Sequence, residues 1–135
     1  MNEFKYVVKV NNPNSLSDFE KVIGTKLPKF LSELILRNNY GYPVKKIFEG
    51  ENFSFSIKCL LSLNKEDEEN LFDFYKMSRE ISDEIGLDFI PFAMDDYGNL
   101  ICFILDTDFV VYIDEETLDV FNTKLTIEEF FEKLV

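Results

Sequence analysis

The stretch FIPFAMDDYGNLICFIL, residues 89–105, places two apolar runs on either side of an acidic segment that contains glycine. Phe89 to Met94 and Leu100 to Leu105 are almost uniformly apolar, as strands covered on both faces of a sheet are. Asp95-Asp96-Tyr97-Gly98-Asn99 has the composition of a hairpin turn, because glycine and asparagine tolerate the backbone conformations that tight turns need. The stretch therefore predicts an antiparallel pair of central strands.

Further strands are predicted on both sides of this pair, with no helix between successive strands. Phe109 to Ile113 and Leu118 to Phe121 flank a second turn, Asp114-Glu115-Glu116-Thr117. Upstream, apolar residues alternate with polar ones from Phe53 to Cys59, which predicts a strand with one buried face. A similar alternation from Phe4 to Val10 is compatible with a short N-terminal strand. Strands in direct succession favour an antiparallel meander over a doubly wound parallel sheet.

Four segments carry helix signals, near residues 15–23, 28–40, 65–85 and 126–134. Thr126 with Glu129 has capping-box spacing, as has Ser15 with Asp18. The third helix is predicted to begin near Asn64. Its first turn, where the helix dipole favours anions, would then hold Glu66, Asp67, Glu68 and Glu69. Together these elements predict a single α+β domain over residues 1–135, a mostly antiparallel sheet with about four helices packed around it.

The net charge of −12 is unevenly distributed along the chain. Residues 1–50 contain eight Lys/Arg and five Asp/Glu, a net +3, whereas residues 51–135 contain six Lys/Arg and 21 Asp/Glu, a net −15. An acidic surface repels nucleic acid and anionic lipid, so neither nucleic acid nor a membrane is expected as a partner. Such a surface attracts a basic protein at long range, or it serves only to keep the protein in solution.

The sequence shows no targeting signal and no membrane-spanning pattern. Glu3, Lys5 and Lys9 interrupt the apolar residues at the start of the chain, and no apolar run approaches the ~20 residues of a membrane span. The two cysteines, Cys59 and Cys102, are isolated, so free buried thiols in a reducing compartment are expected. These features predict a cytoplasmic protein.

No residue pattern points to catalysis, a cofactor or a metal. The two acids of the Asp95–Asn99 turn are adjacent, whereas a calcium loop needs carboxylates at alternate positions, so a structural turn is favoured over a metal site. Cys59 and Cys102 lie in apolar strand patterns, and the chain has no histidine to act as a base. With 26 acidic residues, carboxylate pairs at hydrolase spacing arise by chance, so a carboxylate-dependent hydrolase is the third hypothesis only.

Several short motifs follow one another along residues 15–134. The first two are a short helix that ends in glycine before Leu-Pro (Phe19–Gly24 with Leu27-Pro28) and an asparagine-rich turn that ends in proline (Asn38–Pro43). They are followed by a Leu-Ser-Leu-Asn segment (Leu61–Asn64), an Ile-Pro-Phe-Ala block with its acidic turn (Ile90–Cys102) and a closing helix (Thr126–Leu134). This order resembles the SUKH superfamily, the Smi/Knr-like proteins. The sequence departs from the family pattern at Tyr40, where many members have glycine, and at Ile104, where aspartate is frequent.

The resemblance implies an α+β fold with a curved sheet and a function in protein binding. Many bacterial members are immunity proteins that bind and neutralise secreted or contact-delivered toxins, often nucleases. Fungal members are regulators of cell-wall synthesis and signalling. We therefore expect a non-enzymatic immunity protein whose partner is a cognate, basic toxin, with a regulatory or scaffold module as the alternative.

The residues expected to face such a partner are acids at the start of the third helix and in the two turns, together with two tyrosines. Tyrosine is an effective anchor at interfaces because it combines apolar area with a hydroxyl group. The acids are Glu66, Glu69, Asp95, Asp96, Asp114, Glu115 and Glu116, and the tyrosines are Tyr42 and Tyr97.

Overall fold

The computed structural model describes residues 2–135, which form nine short strands and four helices. The strands are β1 (Phe4–Lys5), β2 (Tyr42–Pro43), β3 (Ile47–Glu49), β4 (Ser54–Ser56), β5 (Cys59–Leu60), β6 (Phe89–Met94), β7 (Leu100–Ile104), β8 (Phe109–Ile113) and β9 (Val120–Thr126). The helices are α1 (Ser15–Ile23), α2 (Lys29–Arg37), α3 (Leu71–Ile85) and α4 (Ile127–Lys133). No helix among these residues is long and apolar enough to cross a membrane.

A five-stranded antiparallel sheet, in the order β5-β6-β7-β8-β9, forms the centre of the molecule. All six residues of β6 are buried, as its uniformly apolar sequence predicts for a strand covered on both faces. The register places Ile90 opposite Phe103 and Met94 opposite Leu100, so Asp95–Asn99 closes a hairpin. The predicted α+β class, with an antiparallel meander, is confirmed.

The prediction of one strand from Phe53 to Cys59 is wrong, because this segment serves two sheets. Its first part, β4, pairs with β3, an unpredicted strand, and places Phe48 opposite Phe55. Its last part, β5, joins the central sheet through β6. Between them, the N–H of Ile57 donates to Lys46 and the N–H of Lys58 donates to Met94, at 2.8 and 2.7 Å. The alternation continues through the change of partner, so the pattern alone did not reveal it.

The N-terminal strand is shorter than its alternating sequence suggests. Only Phe4 and Lys5 pair, opposite Pro43 and Tyr42 of β2. The strand ends at Tyr6, whose φ of 58° lies in the left-handed region and turns the chain out of extended geometry.

Helices α1 and α2 pack their apolar faces on the core, with small shifts from the predicted ends. α1 spans 15–23 as predicted, but Ser15 lies inside the helix and does not cap it; Asn14 is the N-cap residue and makes no side-chain cap bond. α2 ends at Arg37 and not near residue 40. The chain leaves the helix at Asn38 and then turns through Tyr40, whose φ is 61°.

The third helix begins at Leu71, seven residues after its predicted start near Asn64. The N-cap is Asn70, whose side-chain oxygen accepts the N–H of Asp73 at 2.9 Å. Asn64 instead fixes the N-terminal segment: its Oδ1 accepts the N–H of Asn11, and its Nδ2 donates to the carbonyl of Lys9. The acidic run of residues 66–69 therefore precedes the helix and lies outside its first turn.

The C-terminal helix α4 closes the core. The predicted capping box is confirmed, since Thr126 Oγ1 accepts the N–H of Glu129 and the Glu129 carboxylate accepts the N–H of Thr126. Hydrogen bonds at this cap lower the pKa of the Glu129 carboxyl. Phe130, Phe131 and Leu134 are buried as predicted. Phe130 is fully enclosed by an aromatic cluster that includes Phe48, Phe55 and Phe131.

Candidate partner-binding surface

A hydrogen-bonded triad of Asp95, Asn99 and Tyr112 organises one end of the central sheet. The Tyr112 phenol donates to Asp95 Oδ2 at 2.5 Å, and Asn99 Nδ2 donates to the same carboxylate at 3.0 Å and to the Tyr112 phenol at 2.9 Å. The ring of Tyr112 stacks on Phe55 with a centroid distance of 4.4 Å. Burial and the hydrogen bond to Asp95 raise the pKa of Tyr112, so it remains a neutral donor at physiological pH.

Asp95 therefore supports the turn from within, although the sequence proposed it as a partner contact. Only 3% of its surface is exposed. Its second oxygen accepts the N–H groups of Tyr97 and Asn99 at 2.9 and 2.8 Å, which fixes the turn. The turn in consequence presents its next two residues to solvent: Asp96 is exposed, and Tyr97 is 89% exposed.

The two acidic turns lie side by side and are joined by Asn99, whose Oδ1 accepts the N–H of Glu115 at 3.0 Å. Asp114 holds the second turn by accepting the N–H groups of Glu116 and Thr117. We call the resulting surface the acidic tip; its residues are Asp96, Asp114, Glu115, Glu116 and Asp119. Four of these five were predicted as partner contacts, and Asp119 was missed because it lies just beyond the predicted turn.

The other predicted anchor, Tyr42, lies in a groove that borders the tip. This half-buried tyrosine shares the lining of the groove with Lys58 and Asp96. Burial is the main cause of the raised pKa of Tyr42. Tyr6, which was not among the predicted contact residues, packs edge-on against Tyr42 with a centroid distance of 5.6 Å. The structure thus brings Tyr42, Tyr97 and the acidic tip to one region of the surface.

The comparison with protein families shows which family the chain belongs to. A model of the SMI1 / KNR4 family (SUKH-1) matches residues 11–133, nearly the whole chain. The chain belongs to the SUKH-1 family. The resemblance seen in the order of the motifs is confirmed. A comparison with curated proteins finds no match.

In this SUKH-1 protein, the acidic run of residues 66–69 is partly engaged in contacts within the fold. Glu66 accepts a hydrogen bond from Asn11 at 2.5 Å, which lowers the pKa of its carboxyl. Glu69 accepts the phenol of Tyr40 at 2.6 Å and pairs with Lys58 at 3.8 Å. These carboxylates tie the loop before α3 to the rest of the fold.

Tyr40 occupies the position where the SUKH resemblance expects glycine, and its left-handed φ explains that preference. A side chain is disfavoured there, but the Tyr40 phenol gains the hydrogen bond to Glu69 and accepts the Glu69 N–H at 3.4 Å. Burial and this hydrogen bond raise the pKa of Tyr40. The departure therefore replaces a flexible turn by one pinned to the acidic loop.

The metal-binding potential and the two thiols were the catalytic features that the sequence left to be located. No cluster of three or more Cys, Asp or Glu side chains has a geometry that could hold a metal ion there. Both thiols are buried, and burial raises the pKa of Cys59 to about 12 and that of Cys102 well above its usual value. Protonated, enclosed thiols are poor nucleophiles.

Proposed function

We propose that this SUKH-1 protein is a cytoplasmic immunity protein that binds a basic bacterial toxin through its acidic tip and neutralises it. The observation that carries the proposal is the junction of the two turns, which presents Asp96, Glu115 and Glu116 beside the almost fully exposed Tyr97. Membership of the SUKH family supports a role in protein binding.

The charge of the tip suits a toxin that acts on nucleic acid. The cleft of a nuclease must be basic to hold phosphates. A cluster of carboxylates fits into such a cleft or against its rim, and its field raises the rate of encounter. Because hydrogen bonds fix the backbones of both turns, little backbone conformational entropy is lost when the carboxylates are placed against the partner.

Tyr97 is suited to act as an anchor residue in this complex. An aromatic side chain that is 89% exposed contributes nothing to the core, yet it offers apolar area and a hydroxyl group to a partner. The acids around it would then act mainly on the association rate, and Tyr97 on the lifetime of the complex.

The experiment pairs the protein with the toxin domain encoded beside its gene. We expect a large secreted or contact-delivered protein with a variable C-terminal domain at the neighbouring locus. Expression of that domain alone should arrest growth, and co-expression of this protein should restore growth. A toxin domain that is neither bound at micromolar concentrations nor neutralised would contradict immunity, and the regulatory or scaffold module would take its place.

A further inference from the structure

We infer that the groove beside the acidic tip receives a carboxylate side chain of the partner protein. The groove lies between β1–β2 and the turn that carries Asp96, and it encloses about 330 Å³. Its lining includes Lys5, Lys46 and Lys58. The inference rests on the proposed function, because it assigns a second contact in the same complex, with the opposite charge.

The three lysines make this groove a cationic site on a chain whose net charge is −12. Among residues 2–135, neither Lys5 nor Lys46 has a carboxylate within ion-pair distance. Lys58 has one, Glu69, at a long 3.8 Å. Asp96 is the single acid in the lining. A concave surface lined by an excess of one charge concentrates its field and favours a ligand group of the opposite sign.

Tyr6 gives an independent indication that the groove binds something. It is 75% exposed and holds a left-handed φ of 58°, which a bulky side chain disfavours. Hydrogen bonds on either side of it, from Val8 to Asn39 and from Val44 to Glu3, hold the chain in this conformation. Residues kept in disfavoured backbone geometry cluster at binding sites, and an exposed aromatic wall contributes little to the core.

The neighbourhood of the groove favours one carboxylate over a polyanion. A nucleic acid or an anionic membrane that reached the lysines would also meet Asp96 and the acidic tip, which would repel it. A protein surface that is basic overall and carries a single acid is complementary both to the acidic tip and to the lysines of the groove. A nuclease cleft combines both charges, since it holds phosphates with cations and its metal ions with carboxylates.

The test compares two neighbouring lysines. Lys46 lines the groove, whereas Lys45 lines a different surface depression, so Lys46→Glu and Lys45→Glu change the net charge equally at two sites. Long-range attraction to a basic partner predicts that both variants bind as well as the wild type or better. The groove predicts the opposite for Lys46→Glu alone: a loss of about tenfold in affinity, with an unchanged melting temperature.

Equal affinities of the two variants would overturn the inference and leave the proposed function intact. No binding by the wild-type protein would instead remove the proposed function, and the inference with it. A charge swap gives the second readout: changing the responsible partner carboxylate to lysine should restore the affinity of Lys46→Glu. Saturable NMR shifts of the groove amides with inorganic phosphate, together with equal affinities of the two lysine variants, would assign the groove to a small anion instead.

Discussion

Tyr112 donates a hydrogen bond of 2.5 Å to the buried carboxylate of Asp95 and thereby links strand β8 to the turn that follows β6. The same tyrosine stacks on Phe55, so one side chain connects the acidic tip to the aromatic core. The conformation of the tip is therefore coupled to the packing beneath it.

Tyr112→Phe should lower the free energy of unfolding by about 1–3 kcal/mol, the usual cost of removing a partner from a buried polar group. The ring and its stacking on Phe55 are retained, so the loss reports the hydrogen bonds of the phenol with Asp95 and Asn99. Urea denaturation measures it. The matched control is Tyr97→Phe, which removes the hydroxyl group from an exposed tyrosine and should leave the midpoint unchanged. Equal midpoints for the two variants would mean that the triad does not stabilise the fold.

The protein should lose stability as the pH rises above about 9. Burial raises the pKa of Cys59 from 9.0 to about 12 and also raises those of Tyr40 and Tyr112 from 10.0. The unfolded chain releases these protons first, so the stabilisation is complete below the ordinary values and is lost as the pH rises toward the folded-state values. The measurement is the free energy of unfolding across alkaline pH. Tyr112→Phe should show a shallower decline, and an identical slope would contradict this assignment.

Phe130→Ala should destabilise the fold by about 3–5 kcal/mol, because it opens a cavity where the ring packs against Phe48 and Phe55. That is a large share of the ~5–15 kcal/mol that holds a domain together. Glu132→Ala, on the exposed face of the same helix, is the control and should change stability little. A melting temperature that is the same in both variants would place α4 outside the cooperative core.

Local signals predicted α4 and the β6–β7 hairpin well, because both depend on residues close in sequence. Thr126 and Glu129 cap each other three residues apart, and Asp95 accepts N–H groups two and four residues ahead. The predicted start of α3 was wrong because the role of Asn64 depends on residues far away in sequence. Asn64 looks like a helix cap locally, but its side-chain oxygen, the atom that would cap a helix, accepts the N–H of Asn11, 53 residues away.

In the candidate surface, too, the features set by residues close in sequence were predicted, and those set by distant residues were not. The sequence identified each acidic turn, but the contact of Asn99 with Glu115 depends on the register of four strands. Asp95 was predicted as a partner contact, like Asp96, because adjacent acids in a turn look alike in sequence. In the fold, the Tyr112 phenol and two N–H groups of the turn engage the Asp95 carboxylate. The lysine groove was missed because its three lysines come from three separate segments, although the positive charge of residues 1–50 was a signal for it.

Association with the toxin should depend on the acidic tip specifically, and a matched pair of variants tests this. Glu115→Lys with Glu116→Lys reverses the charge of two acids in the tip, whereas Asp83→Lys with Glu84→Lys reverses the charge of two exposed acids near the end of α3. The two pairs change the net charge equally. Asp83 and Glu84 come shortly before the start of β6 in the chain, whereas the turn that carries Asp96 follows its end, so the two variants change charge toward opposite ends of that strand.

The association rate constant of the wild type should fall clearly between about 0.01 M and 0.15 M salt, as the Debye length shortens from about 30 Å to about 8 Å. The tip variant should associate about tenfold more slowly than the wild type at low salt, and the α3 variant should be slowed less. Tyr97→Ala should act on the dissociation rate instead, since it removes contact area and no charge. Equal slowing by both charge variants would assign the effect to net charge and not to the tip. Binding that ignores salt and both reversals would refute the electrostatic mechanism, while a complex that still forms and still neutralises the toxin would preserve the immunity proposal.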